Sequence, residues 1–314
     1  MGKYIFGVDV GGTSVKLGLF DSEGNLLDKW GITTAVVKND NTAILHDITN
    51  AIQAKQAEKG IASEDVLGVG LGVPGPVLAD GTINRCVNLG WSVFNVVETM
   101  SAICGFKVKA GNDANVAALG EQLRGGGKGY GSVVMITLGT GVGAGVVVDG
   151  RIIPGAFGAA GEVGHMHVRD GEPDLCGCGK RGCFEQYASA NGICRIARQY
   201  LAAHPQQPTA LGREVEINSI SVFEQARAGD KAGLAIVEEY FDILGRGLAH
   251  IACVIDPECI VIGGGVSNEG QYLIDGVTAA YQKYCFHASK DMKIICAQLG
   301  NNAGIHGACG MVMS

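Results

Sequence analysis

Residues 161–185 read GEVGHMHVRDGEPDLCGCGKRGCFE. Cys176, Cys178 and Cys183 stand there at C-x-C-x4-C spacing, with His165 a short loop upstream. Thiolates and imidazole are the ligands of a tetrahedral Zn²⁺. Gly177, Gly179 and Gly182 let the backbone turn tightly around such an ion. Glu162 and Glu185 bracket the segment. The expectation is a loop held in shape by a metal, with two carboxylates beside it that grip a polyhydroxyl substrate. His167 lies two residues past His165, and in a strand both rings would face one side, so either can ligate.

Around this segment lies a chain of 314 residues, 47% hydrophobic and 18% charged, enough for large cores and for two domains rather than one. The net charge of -7, with no Lys/Arg cluster, excludes nucleic acid and anionic membrane surfaces as expected partners. No apolar run approaches the roughly 18 residues of a membrane span. The opening MGKYIFGVDV does not read as a signal peptide, and eleven cysteines then point to a reducing cytosol. The eight outside the cluster are expected to be small buried hydrophobes.

Upstream, KYIFGVDV and LGLF flank the turn DVGGTSVK, and LLDKWGITT completes a β meander. Asp9 sits at the first bend. Gly11 and Gly12 allow backbone N–H groups to approach an anion, and Thr13 adds a hydroxyl. No Walker A pattern is present. Residues 41–59 have helical periodicity and stop at Gly60; VLGVGLGVPGPV is a strand running into a Gly-Pro loop, followed by the short loop NLGW at 88–91. FKVKAGND is a strand ending at Asn112-Asp113, and a helix follows. An aspartate there is either a plain N-cap or a rigidly held carboxylate. A second glycine hairpin, GTGVGAG, carries Thr140 and Gly141 at its tip, and IGGGV forms a third glycine loop. Two such hairpins can clasp nucleotide phosphates, with the third loop against a base.

DVGGT (9–13), Asn112-Asp113, LGTGVGAG (138–145), GEVGH (161–165), CGCGKRGCFE (176–185) and IGGGV (262–266) together resemble the ROK family of sugar kinases, and within it the bacterial ATP-dependent glucokinase branch. The cysteine motif with GEVGH is the specific part. The resemblance implies an actin/hexokinase-like (ribonuclease H-like) α/β fold of two lobes with a cleft active site. It puts residues 1–118 and the C-terminal helix 302–314 in a small lobe and 119–301 in a large one. It implies Asp113 as general base for the sugar's 6-hydroxyl, and Asn112, Glu162, His165 and Glu185 as sugar ligands. His165, Cys176, Cys178 and Cys183 are the implied ligands of a structural Zn²⁺; the motif favours His165 over His167. Asp9, Gly11, Gly12, Thr13, Thr140 and Gly141 are implied on the phosphate and Mg²⁺ side of ATP, and Gly264 and Gly265 on the adenosine side.

The implied activity is ATP-dependent phosphorylation of a hexose, D-glucose first, by a cytoplasmic homodimer. N-acetylglucosamine, N-acetylmannosamine, fructose and allose are the rival sugars. A DNA-binding repressor of the family would need a helix-turn-helix ahead of DVGGT, which a first strand at residue 3 does not accommodate. A non-catalytic zinc or sugar-binding module would leave Asp113 and three glycine loops as coincidences.

Overall fold

The computed structural model describes residues 3–35, 37, 40–84, 86 and 89–314. Asn88, the first residue of the NLGW loop, lies outside them. The chain forms two compact units, one of Met1–Met135, Gly145–Gly161 and Gln298–Ser314, the other of Ile136–Ala144 and Glu162–Ala297.

The first unit opens with the expected meander, β1 (Tyr4–Val10), β2 (Ser14–Asp21) and β3 (Leu26–Thr33), paired antiparallel in sequence order. Burial alternates along β3, as befits a sheet edge with one wet face. Helix α1 (Ala43–Lys59) ends at Gly60, whose φ of 65° is the left-handed C-terminal turn that glycine adopts without strain. β4 (Val66–Val73) then lies parallel to β1. The two-residue strands β5 (Thr82–Ile83) and β6 (Phe94–Asn95) lead into α2 (Val96–Cys104). β7 (Val108–Asn112) runs parallel to β4 and passes directly into α3 (Asp113–Arg124). The sheet order is β3-β2-β1-β4-β7. Ile44, Leu45, Ile48 and Ile52 of α1 pack with Phe6, Val8, Leu71 and Trp91 in one core. Truncating any of these aliphatics to alanine costs about 2–5 kcal/mol.

β8 (Val133–Leu138), β9 (Val142–Val148) and β10 (Arg151–Ile152) repeat the meander, and β11 (Cys259–Gly263) and β12 (Lys293–Cys296) extend it as β10-β9-β8-β11-β12. The second unit's helices are α4 (Glu185–Ala188), α5 (Ala190–Ala203), α6 (Ser219–Arg227), α7 (Lys231–Ile255) and α8 (Gln271–Tyr284). Two short-linked helices follow the cysteines, separated at Ser189, whose hydroxyl accepts from Gly192 N–H and starts the second. Of the eight other cysteines, Cys86, Cys104, Cys194, Cys259 and Cys309 are buried, whereas Cys253 is exposed. Cys253 lies on α7 beside Val254, which is 81% exposed, so this face of the helix turns to solvent while Ile251 and Ala252 face the core.

The chain then returns to the first unit as α9 (Ala303–Met313), which packs on β1, β4 and α3. Its backbone lies so close to the sheet that a Cβ on Gly70 would meet the Ala308 carbonyl, and only glycine fits there. Among the described residues no helix is long and apolar enough to cross a membrane.

Candidate active site

In the first unit, antiparallel register sets Asp9 of β1 across from Lys16 of β2. Lys16 Nζ lies 3.6 Å from Asp9 Oδ2. Burial raises the Asp9 carboxyl above its ordinary value, and the Lys16 ammonium opposes that shift. The following turn is closed by a hydrogen bond from Gly11 N–H to the Ser14 carbonyl at 3.0 Å. Its carbonyls point back into the protein: Thr34 Oγ1 donates to Gly11 O at 2.7 Å, and Thr34 N–H donates to Thr13 O at 3.1 Å. Gly12 and Thr13 are exposed, and among the described residues neither N–H has an internal acceptor.

Asn112 takes the capping position itself. Its Oδ1 accepts from Ala114 N–H at 3.0 Å and Asn115 N–H at 3.2 Å, so Asn112 is the N-cap of α3. Its amide also donates to Gly75 O at 3.1 Å, which ties the Gly-Pro loop to the strand end. Asp113 is the first helical residue, half-buried, with Oδ1 2.8 Å from Ala114 N–H. The capping role open to an aspartate here is taken by Asn112.

The second unit holds the second glycine turn. Gly139 N–H donates to Gly141 O at 3.1 Å. Ala190 N–H donates to Gly139 O at 2.8 Å, and Asn191 Nδ2 to Thr140 O at 3.0 Å. Thr140 is exposed, and among the described residues its N–H meets no acceptor. Beyond it, a groove of about 790 Å³ is lined by Thr140, Gly141, Cys176, Glu185 and Asn191 among others. Gly264, with φ 83°, sits against the end of β8, where a Cβ would lie 2.5 Å from Leu138 O, and Gly264 and Gly265 are exposed.

The cysteine segment folds as a finger. Val168 N–H bonds Gly182 O at 2.8 Å and Phe184 N–H bonds Met166 O at 2.8 Å, so its two ends run as a short hairpin. Gly179 and Gly182 have φ of 81° and 72°, conformations costly for other residues. The ligand atoms of His165, Cys176, Cys178 and Cys183 all lie within 4.8 Å of one another. Cys178 and Cys183 sulfurs are 3.6 Å apart, and Cys176 Sγ is 3.7 Å from His165 Nδ1. A tetrahedron with Zn–S of about 2.3 Å has edges of about 3.8 Å, so this donor set fits zinc. Burial pushes the Cys176 and Cys183 thiols up, and the Lys180 N–H holds Cys178 lower.

Val163–His165 is a 3₁₀ turn rather than a strand, so the two histidines do not share a face. His167 turns away, with Nδ1 3.0 Å from Arg181 O and Nε2 3.0 Å from Asp170 Oδ1. His165 instead presents Nδ1 to the cysteines and to Glu185 Oε1 at 3.7 Å, and Nε2 to Glu162 Oε2 at 3.7 Å. Glu185 Oε1 is also 2.8 Å from Cys176 Sγ. Both carboxylates therefore flank the imidazole at the edge of the ligand cluster.

Three groups here are not marked by any motif. Thr34 and Asn191 pin the carbonyls of the two glycine turns. Buried Glu172 accepts from Tyr187 Oη, from Arg195 and, at 2.9 Å, from Asp174 N–H, and so braces the finger against α4 and α5. Burial raises Glu172, but those three donors outweigh it and hold its carboxyl below the usual range. The only trace in the sequence is the Ser-Ala-Asn start of α5, which is ordinary capping composition.

The model of the ROK family matches residues 5–314. The chain is 38% identical to a glucokinase of Halalkalibacterium halodurans over 99% of its own length and 95% of that protein's. It is 31% identical to an N-acetyl-D-glucosamine kinase of Erwinia tasmaniensis, covering 96% of this chain and 97% of that one. A crystal structure of a ROK glucokinase from Streptomyces griseus in complex with glucose and AMPPNP superposes with a TM-score of 0.72, at 34% identity, over 98% of both chains. The duplicated sheets are those of the actin/hexokinase-like α/β fold. With the family model spanning all but the first four residues, this chain belongs to the ROK family.

Proposed function

We propose that the protein transfers the γ-phosphoryl group of ATP to the 6-hydroxyl of a hexose, D-glucose first. Asp113 carries the reading. It stands at a strand end, half-buried, beside an asparagine that has taken over the capping role. The full-length similarity to glucokinases supports the choice of sugar.

In this reading Glu162, His165, Glu185 and Asn112 hold the sugar's hydroxyls, and Asp113 accepts the proton of the 6-hydroxyl. The 6-oxygen forms a bond to the γ-phosphorus as the bond from that phosphorus to the bridging oxygen breaks, and ADP leaves. Little of this is covalent work for the protein; positioning and charge stabilisation dominate. The two glycine turns offer N–H donors to the phosphates, Asp9 bears on the Mg²⁺ that enters with ATP, and Gly264 and Gly265 lie on the adenosine side. A bound zinc supplies structure alone, since four protein ligands leave no open position. With Nδ1 of His165 on that side, Nε2 carries its proton toward Glu162 and the sugar.

Eleven cysteines in the chain support a reducing, cytoplasmic setting, and transfer to glucose would give the protein a place in glycolysis. A two-fold homodimer is the commonest assembly for such a chain. The test is ADP release measured across a hexose panel, with glucose expected to give the highest kcat/KM. N-acetylglucosamine is the second reading, favoured by the Erwinia relative, and a higher kcat/KM with that sugar would replace the first.

A further inference from the structure

The two glycine turns share a device. A trans peptide is planar, and its C=O and N–H point in opposite directions. Fixing a carbonyl therefore aims the N–H of the next residue. In the first turn, Thr34 Oγ1 holds Gly11 O at 2.7 Å, which points Gly12 N–H the other way. In the second, Asn191 Nδ2 holds Thr140 O at 3.0 Å and so aims Gly141 N–H, while Ala190 N–H at 2.8 Å from Gly139 O aims Thr140 N–H. Each turn is also closed at its first glycine, by Gly11 N–H on Ser14 O and by Gly139 N–H on Gly141 O. Among the described residues the N–H groups of Gly12 and Thr140 have no internal acceptor.

Glycine peptides rotate with little torsional resistance. The Gly11-Gly12 peptide has no side chain on either flank to resist a flip, and Thr140-Gly141 has one. Some other contact must set their orientation. A side-chain hydrogen bond worth about 0.5–1.5 kcal/mol is enough to decide it.

We infer that Thr34 and Asn191 are positioning residues for the phosphate donor: each locks one peptide plane of a glycine turn so that its N–H faces the donor's phosphates. Neither residue touches the nucleotide in this account. The inference rests on the proposed role of the two turns as the phosphate cradle. It predicts that both side chains govern nucleotide affinity and leave sugar affinity alone.

The test uses the full chain with Thr34→Val, which keeps shape and loses the hydroxyl donor, Thr34→Ser, which keeps the donor, and Asn191→Ala and Asn191→Asp. Dissociation constants for Mg²⁺·AMPPNP and for glucose are measured by titration calorimetry beside steady-state KM values. Thr34→Val and Asn191→Ala are each expected to weaken nucleotide binding by about 3–10-fold, the loss of one such hydrogen bond. Asn191→Asp should weaken it further, since an acceptor then faces a carbonyl. Thr34→Ser should restore most of it, and glucose binding should hold throughout. Unchanged nucleotide affinity in Asn191→Ala, or equal losses for sugar and nucleotide, overturns the inference. Asn191 is exposed, so that variant reads out even where a Thr34 variant misfolds. A wild-type protein that neither binds AMPPNP nor releases ADP would instead overturn the kinase reading underneath.

Discussion

Gly141 has a carboxylate where a side chain would go: an added Cβ would lie 2.6 Å from Glu185 Oε2. Glycine at this place lets the turn proposed to bind phosphate and the glutamate proposed to bind sugar sit together. Gly141→Ala must push one or the other aside, and it is expected to raise KM for both ATP and sugar at least about tenfold, read by steady-state kinetics. Asp113→Asn keeps the shape of the residue and removes the proposed base. It is expected to lower kcat by roughly 10²–10⁴ with the sugar dissociation constant within about twofold. Near-normal turnover would refute the assignment. The sequence showed Asn112-Asp113 as a pair but left open which of them caps. That choice depends on the direction of one side chain, and both residue types cap well.

At the scale of elements, the finger has two braces, the cluster of His165, Cys176, Cys178 and Cys183, proposed to hold zinc, and the Glu172 network. Glu172 is held below the ordinary carboxylate range, so it stabilises the fold at neutral pH and that contribution disappears as pH falls through its lowered folded-state value. Glu172→Gln should cost roughly 1–3 kcal/mol at pH 7 and flatten the acid limb of stability, measured by urea unfolding between about pH 3 and 7. Elemental analysis should find about one zinc per chain, and stripping it with a chelator should lower the melting temperature and weaken sugar binding together. Folding and sugar affinity that survive the chelator unchanged would remove the structural role. Strands, the long helices and the glycine turns were legible because their periods and stop signals are local. The 3₁₀ turn at Val163–His165 was not, and this turn is what separates His165 from His167. Likewise the break at Ser189 shows only in the capped structure, since the apolar pattern runs on through it.

At the scale of the molecule, the two-lobe α/β fold came from the family resemblance, while the duplicated sheet order β3-β2-β1-β4-β7 and β10-β9-β8-β11-β12 is seen only in the structure, since periodicity alone gives strands without their neighbours. One buried glutamate helps to close the first unit. Glu121 of α3 accepts N–H bonds from Gly126 at 2.8 Å, Gln298 at 3.0 Å and Leu299 at 2.8 Å, joining the end of α3 to the segment that enters α9. Glu121→Ala takes the acceptor from three part-buried N–H groups and should cost about 1–3 kcal/mol, seen as a fall in the thermal midpoint. An unchanged midpoint would mean that water or rearrangement satisfies them.

The seat of α9 against Gly70 has a consequence in time. A ribosome makes β1 and β4 first, and the helix that covers them only after residues 136–297 have been synthesised. Until then one face of the nascent first sheet stays bare, a period in which chaperones or aggregation compete for it. Arrested chains that stop short of residue 303 should accordingly stay protease-sensitive over β1–β4, and gain protection once the nascent peptide includes α9.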